Sequence, residues 1–350
     1  MLDGNEQGLD LAGNATFRFT NTALLSVSGI EAPRIVSSTD FDSRLASTLQ
    51  RLKFPPRLLE RVAGVTHRRW WAAGTSFDDG AVEAGAKALA EAGVEASNIG
   101  LLINTSVTRR NLEPSVAVKI HHGLGLPTSA MNFDLANACL GFVNGLILAA
   151  QMIDSGQIRY AVIVNGEDSQ LTQEATLARL QRPETTREDF SREFATLTLG
   201  SGAAAAVLGP ADEHPWGHRL VGGVMRAGTE HHGLCVGGID GMATDTQGLL
   251  DGGLQLVVEA WHEARREWDW TAMERYVTHQ VSNAYTQAII KAIDLDPGKV
   301  PITFPRWGNV GPASLPMTLA DEAQSLTAGD RVLCMGVGSG LNTGMLEIVW

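Results

Sequence analysis

Residues 131–156, with the sequence MNFDLANACLGFVNGLILAAQMIDSG, contain the clearest structural pattern of the chain. Hydrophobic and polar residues alternate over its first five residues, 131–135, as they do in a β-strand. The later part is apolar on nearly every side, which is typical of a buried helix, and at roughly 15 residues it is too short to span a bilayer. Gly156 is the kind of residue that ends a helix. The pattern predicts a strand, a tight turn and a buried helix, with Cys139 at the start of the helix.

A cysteine at the start of a helix is a candidate nucleophile. Unsatisfied backbone N–H groups and the helix dipole favour an anion there, by at most about 2 kcal/mol, and about 1.4 kcal/mol corresponds to one pKa unit. We therefore expect the pKa of Cys139 to fall from about 8.5 to near 7, with a second group, most simply a histidine, completing its activation. The alternative on this stretch alone is a buried structural cysteine.

Composition and charge narrow the classes of protein that fit this chain. Its 350 residues carry a net charge of −12, which argues against nucleic acid as a partner. The three cysteines show neither CxxC nor zinc-ligand spacing, so we expect no bound metal and a reducing, cytoplasmic environment. The N-terminus lacks the basic and apolar parts of a signal peptide, and no transmembrane segment is predicted. Residues 1–20 are predicted to form a poorly ordered extension.

The rest of the chain alternates between apolar strands and helices, which predicts an α/β protein with a parallel-rich sheet covered on both faces. The sequences RYAVIVNGEDS, with TLGSGAAAAVLG after it, and RVLCMGVGSGLNTGMLEIVW each contain an apolar strand, a GSG turn and another apolar strand. This similarity predicts a duplicated α/β half, with an N-terminal half at 21–210 and a C-terminal half at 211–350. The highly charged segment 171–194 is predicted to be a solvated excursion.

Three further polar residues follow predicted strands, at the sheet edge where ligands of open α/β sheets collect. Glu113 precedes Pro114, the predicted first residue of a helix, His279 lies in THQVS, and Asn309 lies in the glycine-rich turn RWGNVGPASLP. With Cys139 they suit acyl transfer, since a thiolate attacks an acyl carbonyl while His279 moves the proton and Asn309 donates a hydrogen bond to the oxygen. From the residues alone, the preferred interpretation of Glu113 is a carboxylate favoured by a helix N-terminus, and the other eight histidines fit surface or packing positions.

Backbone groups and basic residues complete the candidate site. The Cys139 N–H and an N–H of the closing GSG turn, at Gly338 or Ser339, are predicted to form a second oxyanion hole. Arginines beside tryptophans or in the 109–110 pair are candidates for binding CoA, although most such clusters are surface or packing features. These arginines are Arg68, Arg69, Arg109 and Arg110.

The sequence resembles the thiolase-superfamily condensing enzymes, in particular ketoacyl synthase III, and within that group the OleA type, which joins two long-chain acyl-CoA molecules head to head. The resemblance spans residues 20–350, and GSG stands where many ketoacyl synthases have GGG. The motifs that carry it are INTSVTRRNLEPS, DLANACLGFVNG, TLGSGAAA, TDTQ, HQVS, WGNVGPASLP and GVGSGLN.

The resemblance implies the five-layer αβαβα thiolase fold, a homodimer and no cofactor beyond the CoA thioester substrates. Cys139 matches the acyl-accepting cysteine, His279 the catalytic histidine and Asn309 its asparagine partner. Glu113 matches a glutamate that removes an α-proton in the active site of the other subunit. The implied reaction is a non-decarboxylative Claisen condensation that releases a β-keto acid to downstream enzymes of hydrocarbon biosynthesis.

Three other functions are compatible with parts of the pattern. A ketoacyl synthase III that uses a malonyl-carrier protein would need the same Cys, His and Asn but not Glu113. A hydroxymethylglutaryl-CoA synthase would have a related site. A non-catalytic acyl-binding scaffold of the same fold would lack the nucleophile, whereas Cys139 is present.

Overall fold

The computed structural model describes residues 16–350. The strands are β1 (Thr16–Arg18), β2 (Thr22–Glu31), β3 (Arg34–Ser37), β4 (His67–Trp70), β5 (Ile99–Asn104), β6 (Met131–Asp134), β7 (Tyr160–Glu167), β8 (Gly202–Pro210), β9 (His218–Ala227), β10 (Cys235–Gly238), β11 (Gly241–Thr244), β12 (Arg275–Thr278), β13 (Arg331–Gly338) and β14 (Asn342–Val349). The helices are α1 (Ser38–Arg44), α2 (Ala46–Arg51), α3 (Phe77–Ala92), α4 (Val116–Gly123), α5 (Gly141–Asp154), α6 (Gln170–Leu180), α7 (Arg187–Glu193), α8 (Thr246–Ala264), α9 (Asn283–Ala292), α10 (Phe304–Trp307) and α11 (Ser314–Glu322).

Most strands belong to one mixed sheet that contains two similar halves. The N-terminal half has the order β6-β5-β7-β8-β2, in which β6, β5 and β7 are parallel and β8 runs antiparallel between β7 and β2. The C-terminal half has the order β12-β13-β14-β9, again with a parallel pair followed by an antiparallel strand. A short pairing of β2 with β9 joins the halves. This repeated order confirms the predicted duplication, while the domain boundary at residue 210 stays a prediction because the halves share a sheet.

The two halves of the sheet and three layers of helices form five layers of secondary structure. Helices α5 and α11 lie in the middle layer, because Leu146 of α5 and Leu319 of α11 share a core with Ile163 of β7 and Leu346 of β14. Alanines of α3 pack on the other face of the N-terminal half, and α8 and α9 cover the C-terminal half. The nearly uniform apolar character of α5 follows from this position, since both of its faces contact a sheet. The αβαβα order agrees with the predicted fold.

Several boundaries differ from the sequence predictions. The prediction that Pro114 is the first residue of α4 was wrong, because the helix begins at Val116. The Asp134 carboxylate accepts hydrogen bonds from the backbone N–H groups of Val116 and Ala117 and so caps the helix there. Ordered structure also begins inside the predicted 1–20 extension, since β1 pairs with β9, whereas residues 1–15 lie outside the described part of the chain. Over residues 16–350, no helix combines the length and apolar character needed to cross a membrane.

The charged segment 171–194 is more than a solvated excursion. It forms α6 and α7, whose apolar residues Leu177, Leu180 and Phe190 are buried against Phe41 and Trp70. The charged residues lie on the outer faces in ion pairs such as Arg44–Glu174 and Arg179–Glu193. The prediction was wrong because the few apolar residues among many charged ones were enough to form a buried helix face.

Candidate active site

The turn that carries Cys139 is held tightly between β6 and α5. The Leu140 N–H donates to the Asn137 carbonyl at 3.0 Å, and Ala138, directly before the cysteine, has a φ of +46° in the left-handed region. A side chain at Gly338 would bring its first carbon within 2.9 Å of the Asn137 carbonyl oxygen, so glycine is needed where β13 ends. The strained turn therefore holds Cys139 one residue before the helix N-cap, Leu140, and beside the closing GSG turn.

The electrostatic surroundings of Cys139 differ from the sequence prediction. Burial, followed by the nearby charges of Glu167 and Cys235, raises the pKa of the Cys139 thiol to about 12. The expected fall of the Cys139 pKa toward about 7 was wrong. Removal of the thiol from water and repulsion between its ionised form and the Glu167 carboxylate outweigh the stabilisation of the thiolate by the helix N-terminus. The resting cysteine is therefore a thiol at neutral pH, and its activation depends on a base.

His279 supplies a buried neutral imidazole. Its backbone N–H donates to the Met335 carbonyl at 2.9 Å, which continues the pairing of β12 with β13 past the end of the strand. The side chain is buried and Nδ1 has no hydrogen-bond partner among the described residues, and burial lowers the pKa of His279 to about 4. The next residue of β13, Gly336, packs directly on Leu140. One strand end thus supports both His279 and the cysteine turn, and the neutral imidazole can accept the thiol proton.

The Asn309 side chain is oriented by its own turn. Its Oδ1 accepts a hydrogen bond from the Gly311 N–H at 3.0 Å, which leaves Nδ2 as the group able to donate to a carbonyl oxygen of a substrate. The backbone of Asn309 is fixed by hydrogen bonds with Thr198 and Gly200, both at 2.9 Å. A side chain at Gly200 would approach the Trp307 carbonyl oxygen to 1.9 Å, so this close contact of two segments requires glycine.

Two buried residues near Cys139 were not identified from the sequence. Glu167 ends β7 and lies 3.6 Å from the position of a side chain at Gly311, and burial raises its pKa to about 7 despite hydrogen bonds from Thr108 and Val107. The Tyr285 hydroxyl is buried without a hydrogen-bond partner among the described residues, and burial together with the charge of Cys139 raises its pKa. The strand-end rule that selected His279 also applies to Glu167, whereas no sequence signal marks Tyr285.

Cys139, His279 and Asn309 thus each lie at a strand end or in a turn, and the end of β13 contacts both the His279 backbone and the Cys139 turn. Their convergence on one catalytic site stays a prediction. Glu113 does not join them inside the protomer, because residues 111–114 form an exposed loop. The backbone positions of Cys139 and Gly338 are compatible with the second oxyanion hole, whose donors, including Ser339, stay a prediction.

The predicted CoA-binding arginines have different surroundings. Arg68 is fully buried, lies 4.4 Å from the Phe41 ring centre and donates to the Ser38 hydroxyl, so its prediction as a CoA contact was wrong. Arg69 is paired with Glu31, and Arg109 is paired with Asp134. Arg110 is exposed near the ring of Phe77. CoA binding by the last three stays a prediction.

Comparisons with protein families match two parts of the chain. The family described as 3-oxoacyl-[acyl-carrier-protein] synthase III matches residues 133–179, which include Cys139. The family described as the C-terminal part of that synthase matches residues 264–350, which include His279 and Asn309. The two matches therefore include the candidate residues Cys139, His279 and Asn309.

Characterised relatives cover nearly the whole chain. The acyl-CoA:acyl-CoA alkyltransferase of Xanthomonas campestris is 42% identical over 95% of this chain and 99% of its own length. The enzyme with the same name from Shewanella oneidensis is 34% identical over 91% of this chain and 96% of its own length. A β-ketoacyl-[acyl-carrier-protein] synthase III of Geobacillus kaustophilus is 26% identical over 82% of this chain and 87% of its own length.

Solved structures of the Xanthomonas campestris enzyme are also similar to this chain. The cerulenin-bound OleA of Xanthomonas campestris has a TM-score of 0.93 at 42% identity, over 95% of this chain and 98% of that one. A cysteine-to-serine variant of the same enzyme with bound lauric acid and lauroyl-CoA has a TM-score of 0.93 at 41% identity, over 95% of this chain and all of that one. Other structures of that enzyme carry substitutions of a histidine or a glutamate.

Proposed function

The chain belongs to the acyl-CoA:acyl-CoA alkyltransferase (OleA) family, and from this membership we propose that it condenses two long-chain acyl-CoA molecules without loss of CO2. The observation that carries the proposal is the placement of Cys139, buried His279 and Asn309 at strand ends and turns, in a chain 42% identical to such an enzyme. The lauroyl-CoA bound to the Xanthomonas campestris enzyme supports a long-chain acyl-CoA as substrate.

The first half-reaction transfers an acyl group to Cys139. Since the thiol is protonated at neutral pH, neutral His279 takes its proton as sulfur attacks the acyl-CoA carbonyl. Backbone N–H groups at Cys139 and the GSG turn stabilise the oxyanion, the thioester to Cys139 forms, and CoA leaves with the proton.

The second half-reaction forms the carbon–carbon bond. Glu113 removes an α-proton from the second acyl-CoA, while His279 and the Asn309 Nδ2 group stabilise the enolate oxygen. The enolate carbon attacks the acyl-Cys139 thioester, the bond to sulfur breaks, and a β-ketoacyl-CoA forms. The leaving sulfur of Cys139 takes up one proton and Glu113 releases the one that it removed, which restores the resting enzyme. Water then hydrolyses this thioester to a β-keto acid and free CoA. The scheme uses CoA thioesters as substrates and requires no other cofactor.

The proposed role of Glu113 requires a homodimer, in which Glu113 of one subunit acts in the active site of the other. Among residues 16–350, the strand β6 is the last strand at its edge of the sheet, and the adjoining surface exposes the apolar residues Leu112, Val118 and Met131. An open strand edge with exposed apolar side chains favours pairing with a second copy of the chain. We infer that the loop bearing Glu113 reaches the active site of the partner subunit. We assign the reaction to the cytoplasm and its product to downstream hydrocarbon-forming enzymes.

The test is incubation of the purified protein with a single long-chain acyl-CoA and no malonyl donor. Mass spectrometry should detect a β-keto acid that contains two acyl chains, or the ketone formed by its decarboxylation, together with free CoA. Cys139→Ala should abolish both products. Condensation that occurs only with a malonyl thioester and releases CO2 would instead identify a decarboxylative ketoacyl synthase and overturn the proposal.

A further inference from the structure

The loop that carries Glu113, residues 107–115, is held at its start by a buried carboxylate. One oxygen of Glu167 accepts a hydrogen bond from the Val107 N–H at 2.7 Å, and the other accepts from the Thr108 N–H at 3.0 Å and the Thr108 hydroxyl at 2.6 Å. Only 5% of Glu167 is exposed, so these bonds are shielded from competing water. The first two residues of the loop are therefore fixed to the end of β7.

A second carboxylate holds the same loop farther along. Asp134, at the end of β6, forms an ion pair with Arg109 and accepts hydrogen bonds from the N–H groups of Val116 at 3.0 Å and Ala117 at 2.9 Å. Although burial acts to raise the pKa of Asp134, these donors and the Asn104 side chain hold it below its usual value. Asp134 thus stays charged and connects the front of the loop to the first turn of α4.

Between these anchors the chain is exposed from Arg110 to Pro114. An exposed segment has few contacts that define its direction. Its direction is therefore set by the residues that hold its two ends. On the basis of the proposed function, we propose that Asp134 and Glu167 are positioning residues that hold the 107–115 loop so that Glu113 can remove the α-proton of the second acyl-CoA. A displacement of about 1 Å at a reacting group costs on the order of 100-fold in rate, which makes such anchoring consequential.

Arg109 offers the sharpest test because it is partly exposed and contacts neither Cys139 nor His279 through any described hydrogen bond. Arg109→Gln removes the ion pair with Asp134 but leaves the caps of α4 intact. We expect condensation by enzyme already acylated on Cys139 to fall about tenfold or more. The burst of CoA release that reports acylation is measured separately, because Arg109 is also a candidate for binding CoA. Arg109→Lys, which keeps a cation for Asp134, should recover part of the loss.

Asp134→Asn and Thr108→Val test the two anchors themselves. Both variants should slow condensation and spare acylation, and thermal unfolding identifies any variant that has lost its fold. Arg159→Gln is the matched control, since it breaks an exposed ion pair with Glu213 elsewhere on the surface and should change neither step.

The outcomes separate the proposal from the function on which it rests. If Glu113→Gln condenses at the normal rate, the proposed role of Glu113 fails. If Glu113→Gln is inactive in condensation while Arg109→Gln and Thr108→Val condense normally, the anchoring proposal fails alone. If Arg109→Gln instead raises the KM of acylation and leaves condensation of the acylated enzyme unchanged, Arg109 binds CoA and the proposal is overturned.

Discussion

The Glu167 carboxylate lies close enough to the Cys139 thiol for its negative charge to add to burial in raising the pKa of that thiol to about 12. Ionisation of Cys139 before substrate binds would place two negative charges in a site with little water, which is costly. The proton must therefore leave as the sulfur attacks, and neutral His279 is the group that can receive it. In this scheme the cysteine loses its proton during the attack and does not rest as a thiolate.

The rate of thiol alkylation should reveal this arrangement. Iodoacetamide labelling of Cys139, measured by mass spectrometry with Cys139→Ala as the background, should keep rising with pH beyond 9, because the thiolate fraction stays small. Glu167→Gln removes the repelling charge and should accelerate labelling at pH 8. A plateau of the wild-type rate near pH 7 would show that the helix N-terminus controls the thiol after all.

Asn309 should contribute chiefly to the rate of chemistry. Its Oδ1 is held by Gly311, so Asn309→Ala removes a donor that is already oriented, and kcat should fall about 100- to 1,000-fold. Asn98→Ala, at an exposed position in a short helical turn, is the control and should leave kcat unchanged. Steady-state CoA release measures both. A rise in KM with normal kcat for Asn309→Ala would mean that Asn309 only binds the ground state.

The fold was predictable because its strands, the buried helix α5 and the repeated order of the two halves leave local apolar patterns in the sequence. The candidate residues Cys139, His279 and Asn309 were selected because each lies at a strand end or in a glycine-rich turn, where ligands of such sheets bind. The pKa of Cys139 was misjudged because it depends on burial and on the charges of Glu167 and Cys235, which are distant in sequence. Arg68 was misassigned for the same reason, since its burial depends on Ser38 and Phe41.

Protonation of His279 should destabilise the folded protein in acid. Burial lowers the pKa of His279 from 6.5 to about 4, so the unfolded chain binds a proton at a higher pH than the folded one does. The contribution of neutral His279 to the free energy of unfolding is about 3 kcal/mol at most. It is fully present above pH 6.5 and is lost as the pH falls through 4. His279→Gln should flatten this part of the curve of unfolding free energy against pH, measured by urea denaturation. Parallel curves for the two proteins would contradict the lowered pKa.

Gly200 should be intolerant of any side chain. Gly200→Ala would bring a methyl group to 1.9 Å from the Trp307 carbonyl oxygen and push apart the segments that fix the Asn309 backbone. We expect a loss of both thermal stability and condensation activity. Gly233→Ala is the matched control, because a side chain there has no atom within 4 Å. Equal unfolding temperatures for the two variants would contradict the close packing of this turn.

Exchange of Glu113 between subunits can be decided by mixing two inactive variants. Glu113→Ala keeps Cys139 but lacks the base, and Cys139→Ala keeps the base but lacks the nucleophile. If Glu113 acts in the partner subunit, each mixed dimer contains one site with both groups, and random reassociation of equal amounts restores about a quarter of wild-type activity. If Glu113 acts in its own subunit, no site in any dimer has both groups and the mixture stays inactive. Co-expression of the two variants with different tags, followed by purification through both tags, should raise the recovered activity to about half, because every dimer is then mixed.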